Sequence, residues 1–320
     1  MEKEQWLAQR RECITGTDVP KILGQSSFGS PYTVWADKRG ESFPVEESEN
    51  MRMGVEMEPH IADRYAELHA VTLQDPGRYT LIQNADRPWI ACTPDRIYED
   101  GSCGVECKLV IGRGRFWSPT EPDPHAWLQA HWCMIATGIP RWDVAAIINH
   151  GGRMEYAEYH LEADEELHKG IITRCEKFYE NCMIGSLEPT ADGSEYTLGL
   201  LKSRFPDASE TLLEPDEKVT ELAHEYDLAK TEYLTASEKK QKAQSRLIQK
   251  IGAEQGFESE RLKVTYKAAR PSMRLNKESL LIDLRKEIGD EKMDAMIERN
   301  TKLSGGGRRF YCRWKGENDG

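Results

Sequence analysis

The spacing of apolar residues changes several times along the chain, and each change predicts an element. Over residues 57–69, Ile61, Ala62, Tyr65 and Leu68 recur every three or four positions, which predicts an amphipathic helix with Glu58 in its first turn. A shorter helix is expected over residues 17–23, with Thr17 or Asp18 as its N-terminal cap. Residues 89–92, 97–98 and 104–110 read as strands, the last two joined as a hairpin by the turn Glu99-Asp100-Gly101. Asp123-Pro124 opens a helix that continues through Ala136. Residues 144–149 and 154–161 form a second hairpin around His150-Gly151-Gly152, and residues 164–183 return to helical spacing. Antiparallel strands flanked by helices describe an α/β or α+β domain.

After Leu187 the pattern changes. Residues 189–209 are polar and turn-rich and read as a linker, which divides the chain into domains 1–190 and 191–320. A long helix is then expected over about residues 215–254. Val219, Leu222, Tyr226, Ala229, Tyr233, Ala236, Ala243 and Leu247 fall on one seam at alternating three- and four-residue steps. That is coiled-coil spacing, interrupted by Lys240. It fits a helix packed on its own domain, or a helical hairpin or oligomer contact. Residues 261–269 read as a strand, 277–297 as a helix and 308–314 as a final strand. Residues 299–315 carry six bases and no acid, interleaved with Phe310, Tyr311 and Trp314. Such a segment suits a nucleic-acid contact, or an edge strand kept soluble by its charges.

Composition narrows the classes. A chain of 320 residues can bury one large core or two moderate ones. Its net charge of −12 lies wholly in residues 1–190, which hold 19 Lys and Arg against 31 Asp and Glu. An acidic balance neither supports nor excludes nucleic acid, because acids can cluster around metals while bases line a groove. The eight cysteines include no CxxC pair, so they are expected to be reduced, buried thiols rather than zinc ligands. No run approaches the roughly 20 apolar residues that span a bilayer. MEKEQWLAQR lacks a signal-peptide core, so a cytoplasmic protein without membrane contact is expected.

The stretch with the most chemistry is ACTPDRIYEDGSCGVECKLV, residues 91–110. Asp95 follows a short apolar strand, and Glu106 and Lys108 alternate on a later one. Period two places Glu106 and Lys108 on one face with Cys107 opposite. If the strands pair, Asp95 reaches the same point. Two converging carboxylates make a hard oxygen site suited to Mg²⁺, and an adjacent lysine holds a water and stabilises charge on a scissile phosphate. Solvated hairpin charges are the plain alternative. Against it, Val105, Cys107, Leu109 and Val110 make this a core strand, where charges need a reason.

Asp95…Glu106-x-Lys108 matches the PD-(D/E)XK nuclease motif. WLAQRRECITGTDVPKILG (6–24), MRMGVEMEP (51–59), TPDRI (93–97), VECK (105–108) and WLQAHWCMIATG (127–138) occur in the order of one family. Residues 6–185 thus resemble the phage lambda exonuclease and YqaJ-type viral recombinase family. The resemblance implies a restriction-endonuclease-like core, a mixed central sheet flanked by helices, followed here by the long-helix and small β extension. It implies that Asp95, Glu106 and the Cys107 backbone carbonyl ligate Mg²⁺ (two ions, with Mn²⁺ as a substitute). It further implies that Lys108 positions water, that Glu58 reaches the centre from the opposite side, and that Gln129 faces the site. Arg10, Thr15 and Thr17 fall in the family's 5′-phosphate block, with Thr17 in place of the usual serine. His131 replaces a second glutamine. Arg113 and Arg115, with Phe116 and Trp117, lie on a Gly-rich loop after the catalytic strand and suit contact with a DNA strand.

The function expected on these grounds is a Mg²⁺-dependent exonuclease that resects linear double-stranded DNA 5′ to 3′ and supplies single strands for an annealing protein. The family also suggests a homo-oligomer, a ring-shaped trimer around DNA. An endonuclease or junction resolvase on the same core is the first alternative; a catalytically vestigial DNA-binding or assembly protein is the second. The missing cysteine pairs argue against an iron–sulfur nuclease, and the intact Asp95/Glu106/Lys108 set against the vestigial reading.

Overall fold

Connection length decides which strands of this protein pair side by side. The computed structural model describes residues 2–42, 47–112, 117–150, 152–207, 211–268 and 277–300. It divides into two compact units, Met1–Pro206 and Asp207–Gly320. In chain order the first unit runs α1 (Lys3–Glu12), α2 (Val19–Ile22), α3 (Pro31–Lys38), α4 (Glu49–His69), β1 (Leu73–Gln74), β2 (Ile82–Gln83), β3 (Ala91–Cys92), β4 (Arg96–Tyr98) and β5 (Gly104–Ile111). It continues with α5 (Pro124–Thr137), β6 (Arg141–Asn149), β7 (Met154–Glu162), α6 (Glu165–Phe178), a π-helical turn at Tyr179–Ile184 and α7 (Glu195–Arg204).

Five strands form one sheet in the order β1-β4-β5-β6-β7. Short turns make β4–β5 and β6–β7 antiparallel, with Arg96 opposite Val105 and Val144 opposite Tyr159. Strands β5 and β6 are parallel, with Glu106 opposite Val144, because the long connection between them carries α5. The sheet is therefore mixed rather than purely antiparallel. A smaller pair, β2–β3, is extended by a bridge from Ile14 to Ile90.

Each face of the sheet is closed by one helix. Ile61, Ala62 and Tyr65 of α4 pack on Val105, Cys107 and Ala145. Helix α5 is capped by Asp123, whose Oδ1 accepts from the His125 amide at 2.9 Å, and it ends at Gly138 with φ +75°. It is buried along nearly its whole length, including Ala130 and Trp132 at 0% exposure. Within the sheet, Asp143 is fully buried and accepts from Tyr65 and from Arg141 (Nη2, 2.7 Å). A buried carboxylate persists when its oxygens are taken up in this way.

Several expectations shift. Helix α4 starts at Glu49, capped by Ser48, and not at Met57; its first turns lack an apolar period because Met51, Met53 and Val55 are exposed. Glu58 consequently stands inside the helix, beside Pro59, and not in a first turn. The expected linker contains α7, whose Thr197 is fully buried and shares a 2.7 Å hydrogen bond with Ser30. Sixteen residues beyond position 190 thus belong to the first unit, because one buried hydroxyl pair and the Arg204–Glu188 ion pair anchor them. The helix expected over 164–183 passes into the π-helical turn after Phe178.

The second unit contains α8 (Glu217–Ile251), the hairpin β8 (Gly256–Glu258) and β9 (Lys263–Thr265), α9 (Lys277–Ile288) and α10 (Asp290–Asn300). Asp216 caps α8, accepting from Val219 N at 2.8 Å. The helix expected over 277–297 is broken at Gly289, whose φ of +82° lies in the left-handed region. Residues 308–314, Arg113, Arg115 and Phe116 lie outside the described residues. Among the described residues, no helix is long and apolar enough to cross a membrane, and all seven cysteines are buried and free.

Gly104 opens β5 directly against the Trp142 ring, where any Cβ would overlap the six-membered ring. Gly104→Ala is expected to lower stability by about 1–3 kcal/mol, the usual cost of overpacking. A urea midpoint that equals wild type would show that the ring moves aside freely.

Candidate active site

Glu106 leaves β5 on the face covered by α5 and is only 1% exposed. Its Oε1 accepts from Gln129 Nε2 at 2.6 Å and from Lys108 Nζ at 2.5 Å. Lys108 Nζ also donates to Gln129 Oε1 at 3.1 Å, closing a three-residue ring. Glu106 Oε2, equally buried, has no hydrogen-bond partner. Asp95 sits at the corner between β3 and β4, and its Oδ2 accepts from the Cys107 backbone amide at 2.8 Å. That bond pins Asp95 to the residue between Glu106 and Lys108.

Electrostatics follow from the burial. Desolvation, then the negative charge of Glu106, push the Asp95 carboxyl up to about 7, against the opposing pull of Lys108 and the Cys107 amide. Burial works against the Lys108 ammonium, but Glu106 and Asp95 outweigh it and hold its pKa above the usual value. Lys108 is therefore a permanent cation at neutral pH.

Glu58 approaches from α4. Its Oε1 accepts from Arg96 Nη1 at 2.8 Å, and its carboxyl is raised first by burial and then by the charge of Asp95. Arg96, 8% exposed, also donates to the Asp95 carbonyl and so ties Glu58 to the Asp95 corner. Sequence reasoning passed over Arg96, although it lies inside the TPDRI block.

The donor set fits a hard divalent cation. Asp95 and Glu106 converge, and an unpartnered buried carboxylate oxygen is a costly arrangement that positive charge relieves. Glu58 is engaged with Arg96. Among the described residues no cluster of three or more His, Cys, Asp or Glu could hold a metal, so the carboxylates that converge at this point are two, Asp95 and Glu106. Mg²⁺ is commonly bound through one or two carboxylates, with water and phosphate completing its shell.

The N-terminal block forms a second feature. Arg10 Nη2 donates to Thr15 Oγ1 at 3.1 Å and Thr17 Oγ1 at 3.0 Å, and its guanidinium lies 4.6 Å from the centre of the Trp6 ring. Trp6 Nε1 in turn donates to Thr93 Oγ1 at 3.2 Å. Main-chain bonds from Ile14 to Trp89 and from Ala91 to Ile14 fasten this block to β3. A cavity of about 40 Å³ is lined by Arg10, Thr15, Thr17, Thr93 and Gln129, so the block and the Glu106 ring share a side chain.

His131 does not join the site. It is buried against Trp127, with Nδ1 3.0 Å from His168 Nε2, and burial followed by His168 lowers its pKa to about 4. Two residues from Gln129 on a helix, it points to another face.

Residues 5–138 match the family model described as the YqaJ-like viral recombinase domain. The YqaJ protein of Bacillus subtilis (strain 168) is 24% identical over 209 residues, which is 64% of this chain and 64% of that protein. An Acanthamoeba polyphaga mimivirus protein is 27% identical over 112 residues, 35% of this chain and 20% of its own length. The chain thus spans less than two thirds of the length of either relative. Among solved structures, LHK-Exo from Laribacter hongkongensis, in complex with dAMP, is 19% identical with a TM-score of 0.48, covering 57% of this chain and 94% of that one. A phage-related exonuclease from Haemophilus somnus 129PT is 11% identical with a TM-score of 0.41, covering 55% and 96%.

Beneath the Arg10 block, the first unit holds a buried ion pair. Asp18 Oδ2 lies 2.6 Å from Lys38 Nζ and accepts from Thr15 N and Oγ1 at 2.8 and 2.7 Å. Burial alone would raise the Asp18 carboxyl; the Lys38 ammonium, with Arg10 and Lys21, reverses this and holds it well below the usual carboxylate range. A depressed folded-state pKa contributes stability that is complete above the unfolded value of about 4 and is lost as pH falls below it. Asp18→Asn, which strands the Lys38 charge, is expected to cost roughly 3–5 kcal/mol at pH 7. The gap to wild type should narrow as pH is lowered from about 4. Parallel melting curves at pH 7 and pH 3 test this, and a gap that widens in acid would contradict it.

Proposed function

We propose that this protein is a Mg²⁺-dependent exonuclease that degrades linear double-stranded DNA 5′ to 3′. The observation that carries the reading is the convergence of Asp95, Glu106 and Lys108 around a buried carboxylate oxygen that lacks a partner. When bound by Asp95, Glu106 and the Cys107 carbonyl, divalent cations (two Mg²⁺, or Mn²⁺ in their place) supply charge neutralisation at the scissile phosphate and acidify the attacking water. Lys108 holds that water in line and stabilises negative charge as it develops on the phosphorus oxygens. Gln129 keeps Lys108 and Glu106 in register through its two hydrogen bonds. Glu58, steadied by Arg96, borders the centre from the α4 side.

End recognition is assigned to Arg10, Thr15 and Thr17. One guanidinium and two hydroxyls form an anion pocket suited to a 5′ phosphate, and its lining includes Gln129 of the catalytic ring. A terminal phosphate held there would set which bond is presented to Glu106 and Lys108, which favours end-directed cleavage. Arg113 and Arg115 are proposed to contact the DNA backbone from the loop after β5. The product strands would pass to a single-strand annealing protein, a role that fits the viral recombinase description of the family. By analogy with the family, the chain would encircle duplex DNA as a homotrimer in the cytoplasm, the host's if the protein is phage-encoded.

With Mg²⁺, linear 5′-phosphorylated duplex should be degraded, covalently closed circles should stay intact, and EDTA should stop the reaction. Cleavage of closed circles would favour an endonuclease or junction resolvase instead. Asp95→Asn, Glu106→Gln and Lys108→Ala should each slow degradation by about 10²–10³-fold or more, the scale for removing one transition-state donor. A Lys108→Ala protein with wild-type rate would remove the assignment. Arg10→Ala should erase the preference for 5′-phosphate over 5′-hydroxyl ends while leaving residual cleavage; an unchanged preference would place the phosphate elsewhere.

A further inference from the structure

Helix α8 presents an apolar seam to solvent over most of its length. Leu222 is 57% exposed, Tyr233 72%, Leu247 42% and Val219 37%, and of the whole helix only Ile251 is buried. A 35-residue helix extends about 50 Å, and helices of this kind owe most of their stability to the packing of an apolar face. The seam advances by alternating three and four residues, the step that keeps one stripe facing a partner helix.

The charges beside the seam identify the partner. One edge carries Lys218 and then, at steps of seven, Glu225, Glu232, Lys239 and Arg246, so that its four central charges run acidic and then basic. All four are exposed, and none forms an ion pair within the described residues. We propose that a second copy of this chain pairs with α8 as an antiparallel, two-fold symmetric coiled coil.

In that arrangement Glu225 meets Arg246 of the second copy, and Glu232 meets Lys239. Symmetry repeats both, so the four central charges of the edge are matched, and Lys218 at the end of the helix stays in solvent. The central apolar layers fit as well, each tyrosine against an alanine, and Val219 at the end falls opposite Lys250. Tyr226 falls opposite Ala243, Tyr233 opposite Ala236, and Leu222 opposite Leu247. Lys240, the polar interruption of the seam, faces Ala229, where its stem lies flat and its ammonium reaches water. A parallel pair in register does much worse. It sets Lys240 against Lys240 and tyrosine against tyrosine. Of the edge charges, only Glu225 then finds an opposite charge across the interface, at Lys230. Edge charges of this kind choose orientation and partner, and here they choose a reversed copy of the same helix. The inference does not depend on the nuclease reading.

Light scattering of the full chain tests it with two charge-reversed proteins, Glu225→Lys/Glu232→Lys and Lys239→Glu/Arg246→Glu. Each alone places like charges along the whole edge, while an equimolar mixture matches all of them again. At equal micromolar concentration, wild type should have twice the mass of either variant, and the mixture should recover the wild-type mass. This holds whether or not the first unit also assembles, because the factor of two is read against the variants. The substituted positions are exposed, and unchanged far-UV circular dichroism would confirm that the helix is retained. Equal masses for wild type and both variants, or a mixture that stays at the single-variant mass, would overturn the proposal.

Discussion

A carboxylate that must remain buried on a core strand sets the terms for the rest of the first unit. Glu106 is almost wholly excluded from water, and its desolvation is offset by Lys108 two residues along the same strand and by Gln129 from the covering helix. Removing any partner would leave charge stranded in a low-dielectric interior, where pairs are strongly interdependent. The strand can carry these charges because its opposite face packs Val105 and Cys107 against Ile61, Ala62 and Tyr65 of α4. One face supplies cohesion and the other chemistry.

Helix α5 connects the two features of the site. It is the crossover that makes β5 and β6 parallel, so it must lie on the sheet over Glu106. Its Gln129 completes the carboxylate–lysine ring. Three residues on, the Trp132 indole donates to the Ile14 and Ala91 carbonyls at 3.2 and 3.0 Å, which holds the strand-like entry to the Arg10 pocket. The helix therefore fixes the distance between the Arg10 block and the paired carboxylates.

The second unit follows a different principle. Its long helix is specified by length, capping by Asp216 and the absence of interior breakers, more than by a core of its own. Seam and edge charges are arranged for a surface outside the unit, so their meaning lies in association rather than in folding. Such a helix can be attached to a catalytic unit without disturbing it.

Local signals determined much of this protein. The cap–proline pair Asp123-Pro124, the period of Ile61, Ala62 and Tyr65, the Glu99–Gly101 turn and the alternation of Glu106 and Lys108 all depend on neighbours within a few residues, and each lies where the spacing predicts. The resemblance, expected over residues 6–185, is matched by the family model over 5–138. Contacts between distant segments were not legible. The Arg96–Glu58 clamp, the Thr197–Ser30 bond that moves the unit boundary to 206, and the Lys38–Asp18 pair beneath the Arg10 pocket join residues 38, 167 and 20 positions apart. Their side chains have ordinary local patterns; burial alone makes the pairings obligatory, and burial exists only once the sheet and its two covering helices have assembled. The sequence by itself determined which residues bear charge on the catalytic strand. Tertiary structure decided which of those charges is left, at Glu106 Oε2, with a buried oxygen that no hydrogen bond satisfies.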